Sequence, residues 1–132
     1  MLAAYDYDAS TGRMALKNPV SILPREFAGS NLGLELVISR DGRFLHAGNR
    51  LHDSIAIIGV RKDRGVGWAG EEWVRADYPR SFEIDPTGNF LFSCNQRGDW
   101  ITSFRMDRRS GALRFTGQFV PVGSPANITF LI

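Results

Sequence analysis

The sequence has little lysine, and its formal net charge of +2 is small. Only Lys17 and Lys62 are lysines among the 16 basic residues, so the rest are arginines. So low a charge does not indicate a nucleic-acid partner, because phosphate-backbone binding needs a concentrated basic patch. The arginines reflect either a compositional bias or an anionic ligand held by forked hydrogen bonds.

Cysteine, metal-ligand spacings and long apolar runs are scarce as well. Cys94 is the only cysteine and lies in an apolar run, which predicts a buried strand thiol and no disulfide. No His, Cys and Asp residues have metal-ligand spacing, so neither a metal nor another cofactor is expected. No run reaches membrane-spanning length, and the N-terminal MLAAYDYD does not resemble a secretory signal. We therefore expect a cytoplasmic protein without a membrane partner.

One phrase occurs twice in the chain. Residues 41–55 are DGRFLHAGNRLHDSI and residues 85–101 are DPTGNFLFSCNQRGDWI, with Asn49 and Asn95 46 positions apart (95 − 49). A fixed period of roughly 40–50 residues with matched turns is typical of solenoids and propellers. Strand-like runs and turn residues fill each unit, which favours an all-β chain.

The repeat predicts a β-propeller segment with two complete four-stranded blades, at about 33–75 and 80–120. Strands A to D run from the innermost to the outermost position of each blade, and about eleven strands are expected. The ends predict partial blades at 1–22 and 123–132, with 2–8 and 14–22 as C and D strands and 123–131 as an A strand. The whole of 1–132 is thus expected to be a single partial propeller domain.

Several phrases together resemble one family over nearly the whole chain. They are YDYDASTGRM, GSNLGLEL, SRDGRFLHAGNRLHDSI, YPRSFEIDPTGNFLFSCNQ and SGALRFTGQFVPVGSPANI. They resemble the C-terminal part of the lactonase family of seven-bladed propellers. That family includes bacterial 6-phosphogluconolactonases and is similar in fold to fungal carboxymuconate-lactonizing enzymes.

The resemblance implies a lactone hydrolase of the 6-phosphogluconolactonase type, with a small anionic lactone as its ligand. A carboxymuconate-lactonizing type of enzyme is an alternative that would use the same arginines for its carboxylates. Because more than half of the family's ring is absent, a non-catalytic truncated propeller fragment is the other alternative.

Strand direction groups the candidate site residues on one rim of the ring. In an antiparallel blade, the A strand starts on the same rim to which the turn between strands B and C returns. Polar groups at the mouth of a propeller channel are where a polar ligand is expected. The rim group comprises Glu35 and Arg80 at the starts of A strands, and Asn49, Arg50, His52, Asp53, Asn95, Gln96 and Asp99 in the turns.

Lactone hydrolysis needs a base for water and cations or donors for the oxyanion. Glu35 or His52 is the expected base, and Arg50 completes the catalytic set as an oxyanion or anion ligand. Arg80, Asn49, Asn95 and Gln96 are the expected substrate-binding residues.

Structural roles are open for several members of this group. Arg50 can brace its turn, and His52 can pack against a neighbouring blade. Asp53 and Asp99 are expected to cap free amides, and Asn49 and Asn95 to adopt left-handed turn conformations.

Open blade edges lead to a further expectation. Partial blades leave strand edges and apolar faces unpaired, so we expect the chain to self-associate.

Overall fold

The computed structural model describes residues 1–131, and the predicted all-β fold is confirmed. Every regular element in this range is a strand. The ten strands are β1 (Leu2–Asp8), β2 (Arg13–Val20), β3 (Gly33–Ile38), β4 (Phe44–Asn49), β5 (Ser54–Val60), β6 (Val66–Trp73), β7 (Pro79–Ile84), β8 (Phe90–Asn95), β9 (Trp100–Met106) and β10 (Leu113–Pro121).

The strands form three antiparallel sheets. Strands β3 to β6 make one four-stranded sheet, β7 to β10 make a second, and β1 pairs with β2 alone. The two larger sheets meander in sequence order, as propeller blades do. They span residues 33–73 and 79–121, where the repeat predicted 33–75 and 80–120. Strand β2 ends at Val20, two residues before the predicted limit of 22.

Matched glycine turns join the A and B strands of the two blades. Gly42 and Gly88 have φ values of 71° and 73°, a left-handed conformation that a Cβ atom disfavours. Before each glycine an aspartate accepts hydrogen bonds within its turn. Hydrogen bonds donated by the Ser39 hydroxyl and the Arg43 amide lower the pKa of the Asp41 carboxyl to about 2. The repeat was visible in the sequence because each blade needs this turn chemistry.

Apolar side chains fill the spaces between successive sheets. One cluster joins the β3–β6 blade to the β7–β10 blade and contains Ile55, Phe82, Leu91 and Phe104, each at most 2% exposed. A second cluster, including Ala56 and Ile58, packs against side chains of β1 and β2. The alternation along β5 therefore supplies both clusters, because successive residues point to opposite faces of the sheet.

Polar contacts add to this packing between blades. The side-chain amide of Asn18 in β2 donates to the Val66 carbonyl oxygen at 2.8 Å and accepts from the Val66 amide at 3.0 Å. His46 is fully buried in β4, and its Nε2 lies 2.8 Å from the Gly111 carbonyl oxygen. Burial lowers the pKa of His46, so the neutral ring serves as a structural donor. Cys94 in β8 is buried, as predicted, and burial raises the pKa of its thiol.

The prediction of an A strand at 123–131 is wrong. These residues contain no strand, whereas the equivalent segments of the two blades each pair with a B strand. A strand needs a hydrogen-bonding neighbour, and residues 1–131 contain no strand that pairs with this segment. The segment instead brings Phe130 edge-on to Phe92, with ring centroids 5.5 Å apart. Ile132, the last residue of the predicted partial blade, lies outside the described residues.

Candidate functional site

Cross-strand register shows which residues share a rim. Gly33 at the start of β3 pairs with Asn49, and Pro79 at the start of β7 pairs with Asn95. The turns at 50–53 and 96–99 therefore lie beside the starts of the A strands, as predicted from strand direction. We call this edge, formed by the starts of β3 and β7 and by these two turns, the upper rim. The opposite edge, formed by the turns at 39–43, 61–65, 85–89 and 107–112, is the lower rim.

Both A strands carry an irregularity at the upper rim. Gly33 pairs with Asn49 but Leu36 pairs with Ala47, which leaves an extra residue on β3 around Glu35. Likewise, Pro79 pairs with Asn95 but Ser81 pairs with Cys94, which leaves Arg80 as the extra residue on β7. Such bulges re-aim side chains and are frequent beside active sites. The register shifts thus single out two of the predicted site residues.

Glu35 faces a shallow depression. The depression is lined by residues 33–36 of β3, by Ala47 and Gly48 of β4, and by Met1, Leu2, Ala3 and Ile22. Among residues 1–131, no hydrogen bond or ion pair engages the Glu35 carboxylate. A Cβ atom at position 48 would lie 2.8 Å from the Phe82 ring, so glycine is needed where β4 approaches β7. Glu35 itself is half-buried.

Arg50 lies against Tyr78, the residue that precedes β7. Its Nη1 donates to the Tyr78 hydroxyl at 3.1 Å, and its Cζ lies 4.7 Å from the ring centroid. Arg97 stacks on the same ring, with its Cζ 3.9 Å from the centroid. Sequence reasoning did not identify Tyr78 or Arg97 as site residues. The 46-residue repeat could have pointed to Arg97, because Arg97 directly follows Gln96. Gln96 is the counterpart of Arg50 in the other blade (96 − 50 = 46).

His52 turns towards the outer strands of its blade. Its Nδ1 lies 2.7 Å from the Ser54 Oγ and 3.6 Å from the Glu71 Oε2. The ring of Phe27 packs edge-on against it, with centroids 4.6 Å apart. These contacts lie on β5, β6 and the 21–32 loop. They support the packing role for His52, whose ring contacts the outer strands of the blade. Glu35, in contrast, lies on the innermost strand.

The structure corrects the backbone conformation expected for Asn49 and Asn95. Both residues are 0% exposed, and their side-chain amides are hydrogen-bonded to other groups of the protein. The Asn49 Nδ2 donates to the Ile22 carbonyl oxygen at 2.6 Å, and the Asn95 Nδ2 donates to the Thr102 Oγ1 at 3.0 Å. Both are strand residues, and neither has the positive φ predicted for it. Burying an amide is favourable only when it is hydrogen-bonded, as these are.

Asp53 and Asp99 hold the left-handed positions instead, with φ values of 52° and 56°. The Asp53 Oδ1 accepts from the Tyr78 amide at 2.8 Å, and the Asp99 Oδ1 accepts from the Ser124 amide at 2.7 Å. Tyr78 and Ser124 are themselves one repeat apart (124 − 78 = 46). Each aspartate thus caps a backbone amide, as expected. The capped amide lies in the segment that leaves the outer strand of the same blade.

Two further predicted residues lie on the upper rim without a defined side-chain partner. Arg80 is exposed on the β7 bulge, and no ion pair involves it within residues 1–131. Gln96 is half-buried, and its backbone amide donates to the Tyr78 carbonyl oxygen at 2.9 Å. That bond fixes the backbone under the Tyr78 ring and leaves the Gln96 side chain for other contacts.

Across residues 1–131, no three His, Cys, Asp or Glu side chains are grouped as a metal-ion site. Nor does that range contain a helical stretch with the length and hydropathy of a transmembrane segment.

Comparison with known proteins places this geometry in a family. A 6-phosphogluconolactonase of Bacillus subtilis is 30% identical over 129 residues, which are 97% of this chain and 37% of that protein. The periplasmic gluconolactonase PpgL of Pseudomonas aeruginosa superposes with a TM-score of 0.91 at 29% identity, over 98% of this chain and 36% of that one. A protein from Lactobacillus plantarum superposes with a TM-score of 0.89 at 29% identity, over 94% and 36% of the two chains.

The chain therefore spans a little over a third of the length of these relatives. The profile of the family described as "Lactonase, 7-bladed beta-propeller" matches residues 1–130. The ten-stranded, two-blade architecture agrees with a segment of such a ring. This chain belongs to the lactonase family of seven-bladed β-propellers.

Proposed function

We propose that this chain carries part of the active site of a lactone hydrolase of the 6-phosphogluconolactonase type. The observation that carries the proposal is the pair of bulges on the upper rim. They leave a carboxylate, Glu35, and a guanidinium, Arg80, outside the regular ladders of successive blades. An acceptor for a proton and a cation for a developing oxyanion are the two groups that lactone hydrolysis needs.

In this mechanism, Glu35 accepts a proton from a water molecule as the water oxygen attacks the lactone carbonyl carbon. The carbonyl oxygen becomes an oxyanion, which Arg80 stabilises through charge-assisted hydrogen bonds. The oxyanion then re-forms a carbonyl as the bond between that carbon and the ring oxygen breaks. The ring oxygen takes up the proton held by Glu35, which restores the carboxylate, and the product is the open-chain hydroxy acid.

Glu35 is favoured over His52 as the base because of its surroundings. The Glu35 carboxylate lines a depression and has no partner among residues 1–131. The His52 ring is held by Ser54 and Phe27 above the outer strands. A general base must reach the water that it deprotonates, and the innermost strand borders the channel in which a ligand would lie.

A non-catalytic propeller piece is the second candidate function. The chain spans 37% of the Bacillus subtilis relative, so a site at the mouth of a ring would be shared with blades outside this sequence. A lactonizing enzyme is a third candidate, because the same groups can serve ring closure.

Hydrolysis of 6-phosphogluconolactone by wild-type and Glu35→Gln protein tests the proposal. Loss of turnover in the variant supports hydrolysis at the upper rim. Equal turnover in the two proteins would contradict it.

The partners proposed here are an anionic lactone and further copies of this chain. Strand β1 pairs only with β2 and leaves its other edge open. Tyr7, Met14 and Leu16 on these two strands are each at least 59% exposed. Open edges and exposed apolar faces of this kind recruit further strands.

The proposed location stays cytoplasmic, although PpgL is described as periplasmic.

Self-association is expected to appear in sedimentation velocity at micromolar concentrations as species larger than the 14.7 kDa monomer. Replacing Tyr7 with Lys should shift the distribution towards monomer, because a charge on an open face opposes edge pairing. Gln118→Lys is the matched control, since it adds the same charge at an exposed position on β10, in a different sheet from β1. A wild-type protein that sediments only as a monomer would contradict the proposed association.

A further inference from the structure

A cleft of about 140 Å³ lies on the lower rim, between the two complete blades. It is bordered by residues 39–41 and Phe44 of the β3–β6 blade, and by residues 87–88 and 106–108 of the β7–β10 blade. The A–B turns of both blades and the C–D turn of the second blade therefore meet at one place. Because drug-sized ligands occupy roughly 300–1,000 Å³, a cleft of this size suits a smaller molecule.

Two arginines at the cleft have no carboxylate partner. Among residues 1–131, neither Arg40 nor Arg108 forms an ion pair. The Arg108 Nη2 donates to the Thr87 carbonyl oxygen at 2.6 Å, which leaves the other donors of this guanidinium for a ligand. The stem of Arg40 lies against Gly88, where a Cβ atom would come within 3.2 Å of the Arg40 Cδ. Both side chains are thus held beside the cleft with donors to spare.

The carboxylates at the cleft set its net charge. The Asp41 Oδ2 accepts from the Arg43 Nε at 2.7 Å, so these two charges offset each other. The Asp107 Oδ1 accepts from the Arg109 amide at 2.7 Å, and no ion pair involves Asp107 within residues 1–131. Two guanidinium groups and one carboxylate remain, which leaves one positive charge. Charge complementarity therefore favours a monoanion over a dianion.

Apolar side chains form another part of the wall. Phe44 is half-buried and Met106 is buried, and both border the cleft. Contact with these groups favours a ligand with an apolar body. A sugar acid would place hydroxyl groups against them without hydrogen-bond partners, which is unfavourable. The lower-rim cleft therefore selects against the ligands proposed for the upper rim.

The internal repeat shows that the turn itself does not require an arginine. Arg40 stands where the second blade has Pro86 (86 − 40 = 46). Both turns nonetheless form the same left-handed glycine, at Gly42 and Gly88. The Arg40 guanidinium is therefore not needed by the turn, and it is available for a ligand.

We propose that this cleft binds a small carboxylate with an aromatic or aliphatic body, at a site separate from the proposed lactonase site. Arg40 and Arg108 hold the carboxylate through charge-assisted hydrogen bonds, while Phe44 and Met106 pack against the body. Because the walls belong to two blades, the bound carboxylate joins them. At a ligand concentration 100 times Kd, the equilibrium constant for unfolding should therefore fall about 100-fold.

Benzoate is the probe for this site, and benzamide is its neutral counterpart of nearly the same shape. Nitrogen–proton correlation NMR of the full chain should show saturable benzoate-induced shifts of the Thr87 and Gly88 amides, which border the cleft. Benzamide should bind at least tenfold more weakly, because it lacks the charge on its acceptor. Acetate, which lacks the ring, should also bind more weakly than benzoate. Gluconate should leave both signals in place.

Arg40→Gln and Arg108→Gln should each weaken benzoate binding about tenfold, the cost of a charge-assisted hydrogen bond. Arg109→Gln is the matched control, since it removes the same charge from the next residue of the turn, which is exposed and does not border the cleft. It should leave benzoate affinity unchanged. Circular dichroism establishes that the three variants keep the all-β fold.

Three results would each overturn the carboxylate site. They are equal benzoate affinities of Arg40→Gln and Arg109→Gln, equal binding of benzoate and benzamide, and the absence of any saturable shift in the wild-type protein. The site is also independent of the lactonase function, because Glu35 lies on the opposite rim. Glu35→Gln should therefore leave benzoate affinity unchanged whatever its effect on lactone turnover.

Discussion

Glu35→Gln is expected to lower lactone turnover by about 10²-fold or more, the usual contribution of a general base. Glutamine keeps the shape of the side chain but cannot accept the proton of the attacking water. The side chain lies at the β3 bulge and lines the depression beside Gly48, so the change should leave packing intact. The measurement is acid release from 6-phosphogluconolactone, followed for this chain and for the Bacillus subtilis relative changed at the aligned residue.

Glu83→Gln is the control for this experiment. Glu83 lies on β7 towards the lower rim, where its Oε1 accepts from the Ile84 amide, a contact that glutamine can preserve. His52→Gln separates the two candidate bases, because it should reduce stability through the lost Phe27 and Ser54 contacts without the same loss of turnover. A larger loss of turnover for His52→Gln than for Glu35→Gln would transfer the role of base to His52. A relative without a carboxylate at the aligned position would also contradict the assignment.

Phe104→Ala is expected to lower the free energy of unfolding by about 3–5 kcal/mol, the cost of a large cavity in a packed core. Phe104 is 0% exposed in the apolar cluster between the two complete blades. Because a domain of this size has a total stability of about 5–15 kcal/mol, such a loss removes a large share of it. Urea unfolding followed by tryptophan fluorescence measures the change.

Phe119→Ala is the matched control for the core substitution. Phe119 is 46% exposed and packs edge-on against Trp100 and Phe115. Its loss should cost clearly less, since each aromatic pair contributes about 0.5–1.5 kcal/mol. Equal unfolding midpoints for Phe104→Ala and the wild type would show that the two sheets do not share a core.

The sequence predicted those parts of the fold that depend on local chemistry. Gly42 and Gly88 mark turns with left-handed backbone angles, and these turns recur once per blade. Asp53 and Asp99 recur in the same way, as the turn-capping carboxylates expected of them. Strand direction then placed the candidate residues on one rim, because antiparallel register follows from the order of turns. The A strand expected at 123–131 does not form, because pairing depends on a neighbour that the local pattern cannot report.

Parts of the candidate site were beyond the reach of sequence reasoning for a similar reason. Asn49 and Asn95 look like turn residues, but their burial is decided by strands on either side. The repeat draws attention to the turn that holds Arg97, but the contact of Arg97 with Tyr78 is visible only in the folded blade. The bulges at Glu35 and Arg80 appear only when two strands are set in register.

Nitrogen–proton correlation NMR during titration with 6-phosphogluconate tests most directly whether the upper rim binds an anionic sugar acid. Glycine amides report on both rims: Gly33, Gly48 and Gly98 lie at the upper rim, and Gly42, Gly88 and Gly111 lie in turns of the lower rim. We expect the upper-rim signals to shift in a saturable way and the lower-rim signals to stay in place. Shifts confined to the lower-rim glycines, or no saturable shift at all, would contradict the account.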